Sequence, residues 1–155
     1  NEKIVIQNLK DMKPKYKKGH FGYEATSKGH KRSEFDQAYV CFYELMPRAS
    51  SFPNHYHSHN TECFYLLMVE SYIKEDDNIN VRTRDIIVFP RGKSGIHKLT
   101  NTSEKDNLLY LDFDTTNSPD IIHYVDSNKI GIIEHNISST FYREDDNVDY
   151  FEGEK

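Results

Sequence analysis

The sequence lacks the features that would place it at a membrane or in an oxidising compartment. No apolar stretch approaches the ~20 residues needed to cross a bilayer, and the N-terminus lacks the charged-then-apolar pattern of a secretory signal. We therefore expect a soluble, cytoplasmic protein without membrane contact. The chain has only two cysteines, Cys41 and Cys63. Each lies in an apolar, strand-like run, so both are expected to be reduced and structural.

Excess positive charge and nucleotide-binding motifs are also lacking. The formal net charge is −5, which argues against a nucleic-acid partner because phosphate binding needs clustered Lys and Arg. There is no Gly-x-Gly-x-x-Gly fingerprint, no Walker loop and no Gly-x-Ser-x-Gly elbow. Nucleotide chemistry and nucleophilic acyl transfer therefore have no support from the usual motifs.

What the chain does contain favours one all-β domain. Its 155 residues suffice for a single compact core. Nine Phe and eleven Tyr supply large side chains that suit half-buried pleated surfaces. Short strand-like runs separated by turn residues predict an antiparallel barrel of two facing sheets, without a helix of three turns. The predicted strands are 3–7, 37–46, 62–69, 72–74, 79–82, 85–89, 95–99, 108–113 and 130–133.

We divide the single domain, 1–155, into three parts. The barrel is expected at about 36–134, with an N-terminal covering segment at 1–35 and a C-terminal extension at 135–155. The first segment has nine Lys/Arg and four Asp/Glu, whereas 143–155 has two and six. These ends are either solvated or paired with each other. Because an isolated barrel exposes sheet edges and an apolar outer face, we also expect a homodimer.

A histidine-rich segment suggests a metal site. In a strand, residues two apart face the same way, so His55 and His57 can point together into a barrel. Glu62 follows after a short loop, and His97 would enter from another strand. Three imidazoles and one carboxylate suit a divalent Zn, Fe, Mn, Ni or Cu ion without selecting among them.

The spacing of these residues resembles the cupin superfamily. His55-x-His57-x4-Glu62 resembles its first motif, and Pro90-x-Gly92-x4-His97-x3-Asn101 its second. The chain is most similar to small bacterial single-domain cupins, which also carry a Pro-Asp segment and an Asp-Ser-x-Lys segment; here these are 118–120 and 124–129. The resemblance implies a double-stranded β-helix, a jelly-roll-like antiparallel barrel, commonly dimeric and with a metal in its mouth.

The family pattern usually has glycine at three positions where this chain has Arg48, Val69 and Arg84. Those glycines serve tight turns. The substitutions therefore bear on loop geometry, and all four metal-ligand positions are intact.

The sequence offers only weak candidates for a catalytic acid or base. His59 lies on the loop before Glu62, as a general acid/base or as a solvated loop histidine, and the second interpretation is favoured. Tyr56 and Tyr65 could present a hydroxyl to a ligand, although strand tyrosines more often pack within the fold.

Two functions from different classes follow. The first is an enzyme that acts on a small polar metabolite, either by metal-assisted isomerase or lyase chemistry or as a dioxygenase. The second is a non-catalytic barrel that binds a sugar or an organic acid. The sequence does not choose between them.

Overall fold

The computed structural model describes residues 37–68, 71–74 and 78–155, together with short pieces at 6, 8–11, 15–16 and 23–25. Its strands are short and all pair antiparallel. They are β1 (Lys15–Tyr16), β2 (Tyr23–Ala25), β3 (Ala38–Leu45), β4 (His55–His57), β5 (Glu62–Met68), β6 (Ser71–Lys74), β7 (Asn78–Val81), β8 (Ile86–Phe89), β9 (Leu99–Asn101), β10 (Leu108–Thr115), β11 (Asp120–Tyr124), β12 (Lys129–Glu134) and β13 (Ser138–Arg143). Helix in these described parts is limited to 3₁₀ turns at Leu9–Asp11 and Lys93–Gly95.

The described strands form three sheets. The largest has the order β1-β2-β3-β10-β5-β8, the second β13-β12-β11-β4 and the third β7-β6-β9. An antiparallel bridge between His55 and His97 links the second sheet to the segment just before β9. Because β4 and β9 are far apart in sequence, this bridge is a long-range contact that brings two of the predicted metal ligands together.

Alternation along three neighbouring strands decides where the core lies. Every second residue is buried over residues 41–45 of β3, 62–66 of β5 and 108–112 of β10, as expected for strands with one face against a core. At one end the inward side chains are apolar, with Leu45, Leu66 and Leu108 fully buried. At the other end the same stripes continue into Glu62 and Asp112. The barrel interior therefore changes from apolar to acidic along its length.

Most predicted strands are confirmed, and the exceptions are instructive. The strand predicted at 95–99 is wrong in position, because a 3₁₀ turn occupies Lys93–Gly95 and β9 begins only at Leu99. β1, β2, β11 and β13 were not predicted. The strand predicted at 3–7 lies, apart from Ile6, outside the described residues. Both cysteines are free, and no helix in the described parts is long and apolar enough to span a membrane.

Two of the three residues that replace family glycines keep a glycine-like backbone. Arg48 has φ 63° and Arg84 φ 75°, in the left-handed region that glycine adopts without strain. The turns are thus preserved with arginine in them. Val69 lies outside the described residues.

Candidate functional site

Strand β4 presents its two histidines to the barrel interior. His55 and His57 point inward, and Tyr56 between them faces outward, where its ring stacks on His123 with the centroids 4.5 Å apart. His123 is the cross-strand partner of Tyr56 on β11. The alternation predicted from sequence for these three residues is thus present.

Glu62 reaches the same point from β5, and His97 reaches it from the segment just before β9. Glu62 opens β5 on its inward face, ahead of Phe64 and Leu66. His97 exchanges backbone hydrogen bonds with His55, at 3.1 Å from His55 N to His97 O and 3.0 Å in the reverse direction. Its ring lies against Phe89, with 3.5 Å between the centroids. The backbone pairing places two imidazoles side by side.

The three imidazoles converge on one carboxylate oxygen. Glu62 Oε2 lies 3.3 Å from His55 Nε2, 3.3 Å from His57 Nε2 and 3.0 Å from His97 Nε2. The side chains of His55, Glu62 and His97 are almost completely buried. The structure therefore brings together all four residues that the sequence singled out.

The opposite side of each ring is held by a hydrogen-bond acceptor. Nδ1 of His55 bonds to the Pro53 carbonyl at 2.7 Å, and Nδ1 of His97 to the Gly95 carbonyl at 2.8 Å. Nδ1 of His57 bonds to Asp120 Oδ2 at 2.5 Å. These acceptors require a proton on each Nδ1, so in neutral rings the Nε2 lone pairs face Glu62.

This arrangement fits a metal ion. Glu62 Oε2 and His97 Nε2 are buried and have no hydrogen-bond partner among the described residues, although they lie 3.0 Å apart. Buried polar atoms without partners are rare and call for a ligand or an ion. One donor atom from each of His55, His57 and Glu62 can be chosen so that all three lie within 4.8 Å of one another. Imidazole nitrogens and a carboxylate oxygen suit divalent transition metals.

The electrostatics of the cluster also favour a cation. Burial lowers the pKa of His57, but its hydrogen bond to Asp120 and the Glu62 carboxylate outweigh burial and raise this pKa to about 10. Burial raises the pKa of Glu62, yet the three imidazoles reverse this effect and hold it well below its ordinary value. The site thus stabilises positive charge beside an ionised Glu62.

A pocket of about 450 Å³ opens beside the cluster, a size usual for small-molecule sites. His55, His57 and Glu62 form part of its wall. Aromatic rings and two further carboxyl groups form much of the rest, with one lysine. These other residues include Tyr39, Tyr43, Phe52, Tyr124, Phe141, Asp112, Asp114 and Lys129.

The two added carboxyl groups lie on consecutive inward positions of β10. Asp112 is buried and Asp114 is half-buried, and Asp114 is the cross-strand partner of Glu62. Burial raises the pKa of Asp112 well above its ordinary value, and the nearby Asp114 and Glu62 charges act in the same direction. Sequence reasoning missed this pair. The sequence did contain a signal for it, because aspartates at the inward-facing positions of a strand with alternating apolar residues indicate a functional site.

The sequence candidates for an acid or base do not line this pocket. Tyr56 packs on His123 on the outer face, and Tyr65 alternates with the buried Phe64 and Leu66. His59 is half exposed, with its backbone N–H donating to Asp120.

Asn101 is the last residue of the second motif, but its described hydrogen bonds involve none of the four predicted metal ligands. It is fully buried, and its Nδ2 donates to the carbonyls of Leu45, Met46 and Asp106. It therefore holds the loop after β3 and the loop before β10 together.

Comparisons with known proteins agree with this fold. A crystal structure from Silicibacter pomeroyi, described as a sugar phosphate isomerase from a cupin superfamily, is 17% identical with a TM-score of 0.76, covering 92% of this chain and 95% of that one. The polyketide cyclase RemF from Streptomyces resistomycificus is 16% identical with a TM-score of 0.62, covering 76% and 84%. A predicted oxalate decarboxylase from Thermotoga maritima is 18% identical with a TM-score of 0.63, covering 73% and 100%.

The sequence itself gives a family match. Residues 41–114, just under half of the chain, match the family model of the cupin domain. Among curated proteins, none matches the sequence. The matched segment runs from β3 to β10 and contains the whole histidine and glutamate cluster. The chain therefore carries a cupin-domain match over residues 41–114, and its antiparallel all-β fold is that of the cupin double-stranded β-helix.

Proposed function

We propose that this cupin-fold protein holds one divalent transition-metal ion through His55, His57, Glu62 and His97, and that it transforms a small polar metabolite in the adjoining pocket. The observation that carries the proposal is the convergence of three Nε2 atoms on Glu62 Oε2, at 3.0 to 3.3 Å. A bound ion would supply Lewis acidity to an oxygen of the ligand.

Of the chemistries compatible with such a centre, the pocket favours proton transfer, as in an isomerase or lyase. Asp112 and Asp114 line the same pocket as the cluster, and carboxyl groups accept and donate protons at their oxygens. The aromatic walls exclude water and can pack against the C–H face of a ligand. The Silicibacter pomeroyi neighbour, described as a sugar phosphate isomerase, supports the same direction.

Hydrogen exchange tests the proposed chemistry. We expect zinc- or manganese-loaded protein in D₂O to incorporate deuterium next to a carbonyl of a compound in a panel of sugars, sugar phosphates and hydroxy acids, detected by NMR. At least one of the two variants Asp112→Asn and Asp114→Asn should exchange about 100-fold or more slowly than wild type. Asp106→Asn, a change at an exposed position, is the matched control.

The other outcomes identify the competing functions. Dioxygen uptake by the iron-loaded protein, without exchange, would assign a dioxygenase. Saturable binding of a panel compound with neither reaction would assign a non-catalytic binding barrel.

We also propose that the outer face of the largest sheet forms a homodimer. Val40, Phe113, Cys63 and Val88 are cross-strand neighbours in one row across β3, β10, β5 and β8. Phe42, Leu111, Tyr65 and Ile86 form the next row in the same way. Ile86 is 73% exposed and Val88 57%. A continuous apolar surface of this kind is typical of an interface.

The expected result is a wild-type dimer that Val88→Lys converts to a monomer, since a lysine within an apolar interface must be desolvated. Multi-angle light scattering at micromolar concentration measures the mass. Val148→Lys introduces the same change at an exposed C-terminal valine and should remain dimeric. A monomeric wild type contradicts the proposal.

A further inference from the structure

The three histidines of the cluster are oriented in two different ways. His55 and His97 each bond through Nδ1 to a backbone carbonyl two residues earlier, that of Pro53 and that of Gly95. No side-chain substitution removes these acceptors. His57 instead bonds to a side chain, the carboxylate of Asp120, at 2.5 Å. Its orientation therefore depends on a residue that is 63 positions away in sequence.

Asp120 is itself held firmly. It is almost fully buried and opens β11, which pairs with β4 in the register that sets Ile122 opposite His57. Its Oδ1 accepts the backbone N–H of His59 at 2.9 Å. Its Oδ2 accepts Asn60 Nδ2 at 2.8 Å as well as His57 Nδ1. All three partners are nitrogen donors, which suits an ionised carboxylate.

Asn60 connects this carboxylate to the loop between β10 and β11. Its Nδ2 also donates to the Asn117 carbonyl at 3.0 Å, and its Oδ1 accepts from Asn117 N at 2.6 Å and from Thr115 Oγ1 at 3.0 Å. These bonds tie the segment before β5 to the loop between β10 and β11. The Asp120 carboxylate therefore has little freedom to move away from His57.

We propose that Asp120 is a positioning residue, which fixes the ring of His57 with the proton on Nδ1 and directs Nε2 towards Glu62. This inference rests on the proposed metal centre. An ionised hydrogen-bond acceptor behind a ligating imidazole sets its tautomer and increases its basicity, and loss of such a partner typically costs 10- to 100-fold in metal affinity. A backbone carbonyl sets the tautomer without adding a negative charge. Of the three imidazoles, His57 is therefore the ligand whose strength a side chain controls.

Zinc affinity of the full chain tests the inference. We expect Asp120→Asn to bind zinc about 10- to 100-fold more weakly than wild type, as measured by competition with a chromophoric chelator. Asp120→Glu keeps the charge and should recover part of the loss. Asp126→Asn removes the same charge from a residue whose carboxylate bonds to Asn54 and contacts none of the three histidines in the described contacts, so its affinity should match wild type.

A spectroscopic signal separates positioning from a purely structural role in the loop. In zinc-loaded wild type we expect a slowly exchanging Nδ1 proton on His57 in ¹H–¹⁵N spectra, and in Asp120→Asn this proton should shift upfield or exchange away. An affinity loss with an unchanged His57 Nδ1 proton would assign Asp120 to the loop alone and overturn the inference. If Asp120→Asn does not fold, a wild-type spectrum without a protonated His57 Nδ1 overturns it equally.

The result also separates this inference from the proposed function. Wild type that binds neither zinc nor any of Fe, Mn, Ni and Cu would remove the metal centre and the role of Asp120 together. Zinc binding that is equal in wild type and Asp120→Asn would leave the centre in place and overturn only the role of Asp120.

Discussion

Replacement of His97 by alanine should abolish stoichiometric metal binding, whereas His59→Ala should leave the metal content nearly unchanged. His97 is 1% exposed and its Nε2 lies 3.0 Å from Glu62 Oε2, so its removal takes one of four donors from a buried centre. His59 is half exposed, and its nearest acidic contact is Asp120 at 3.9 Å. Equivalent losses are expected for alanine at His55, His57 and Glu62.

Elemental analysis after refolding with Fe, Mn, Ni, Cu or Zn and desalting measures this contrast. Chelation should also lower the melting temperature of wild type and have little effect on His97→Ala. The physical reason is linkage, because a ligand that binds only the folded chain stabilises it by about 2.7 kcal/mol at a hundredfold excess over Kd. Wild type that retains none of the five metals would show that the assigned site is wrong.

The second large effect is expected from Asn101→Ala, which should destabilise the fold by about 2–4 kcal/mol without loss of metal. The Asn101 amide is shared among three backbone carbonyls, those of Leu45, Met46 and Asp106, and its Oδ1 accepts from Ser103 N. Truncation of Asn101 to alanine removes the hydrogen-bond partner of these three carbonyls and of the Ser103 N–H group at a buried position. Unsatisfied buried groups cost about 1–3 kcal/mol each, and part of this cost is recovered by relaxation.

Urea unfolding of zinc-loaded protein, followed by elemental analysis of the refolded sample, tests both halves of this prediction. Asn107→Ala is the matched control, because the Asn107 amide donates to Glu44 at an exposed site. Its effect should stay within about 0.5 kcal/mol. A large loss of metal in Asn101→Ala with normal stability would give this asparagine a direct role at the centre.

Asn101 shows that a residue can belong to a metal-binding sequence motif without contacting the metal site. The spacing Pro90-x-Gly92-x4-His97-x3-Asn101 carries both His97 and Asn101, yet only His97 faces Glu62. Sequence spacing states that two residues belong to one local segment. The contacts of each side chain depend on which strands pack against that segment, and those strands come from elsewhere in the chain.

By itself, the sequence determined the strand character of this chain and singled out the four candidate ligands. Alternation with a period of two is a local property of the extended backbone, so it already places His55 and His57 on one face and Tyr56 on the other. Glu62 was predicted by a second local argument, since a short loop can return the chain to a position beside the two imidazoles.

Only the tertiary structure decided what surrounds these ligands. The acidic pair of β10 faces Glu62 because β10 lies between β3 and β5, and Asp120 reaches His57 because β11 pairs with β4. Such pairings join residues separated by about 40 to 70 positions, and no local pattern encodes which strands become neighbours. Period-two alternation therefore predicts the direction of each side chain, whereas long-range strand order determines the chemistry that it meets.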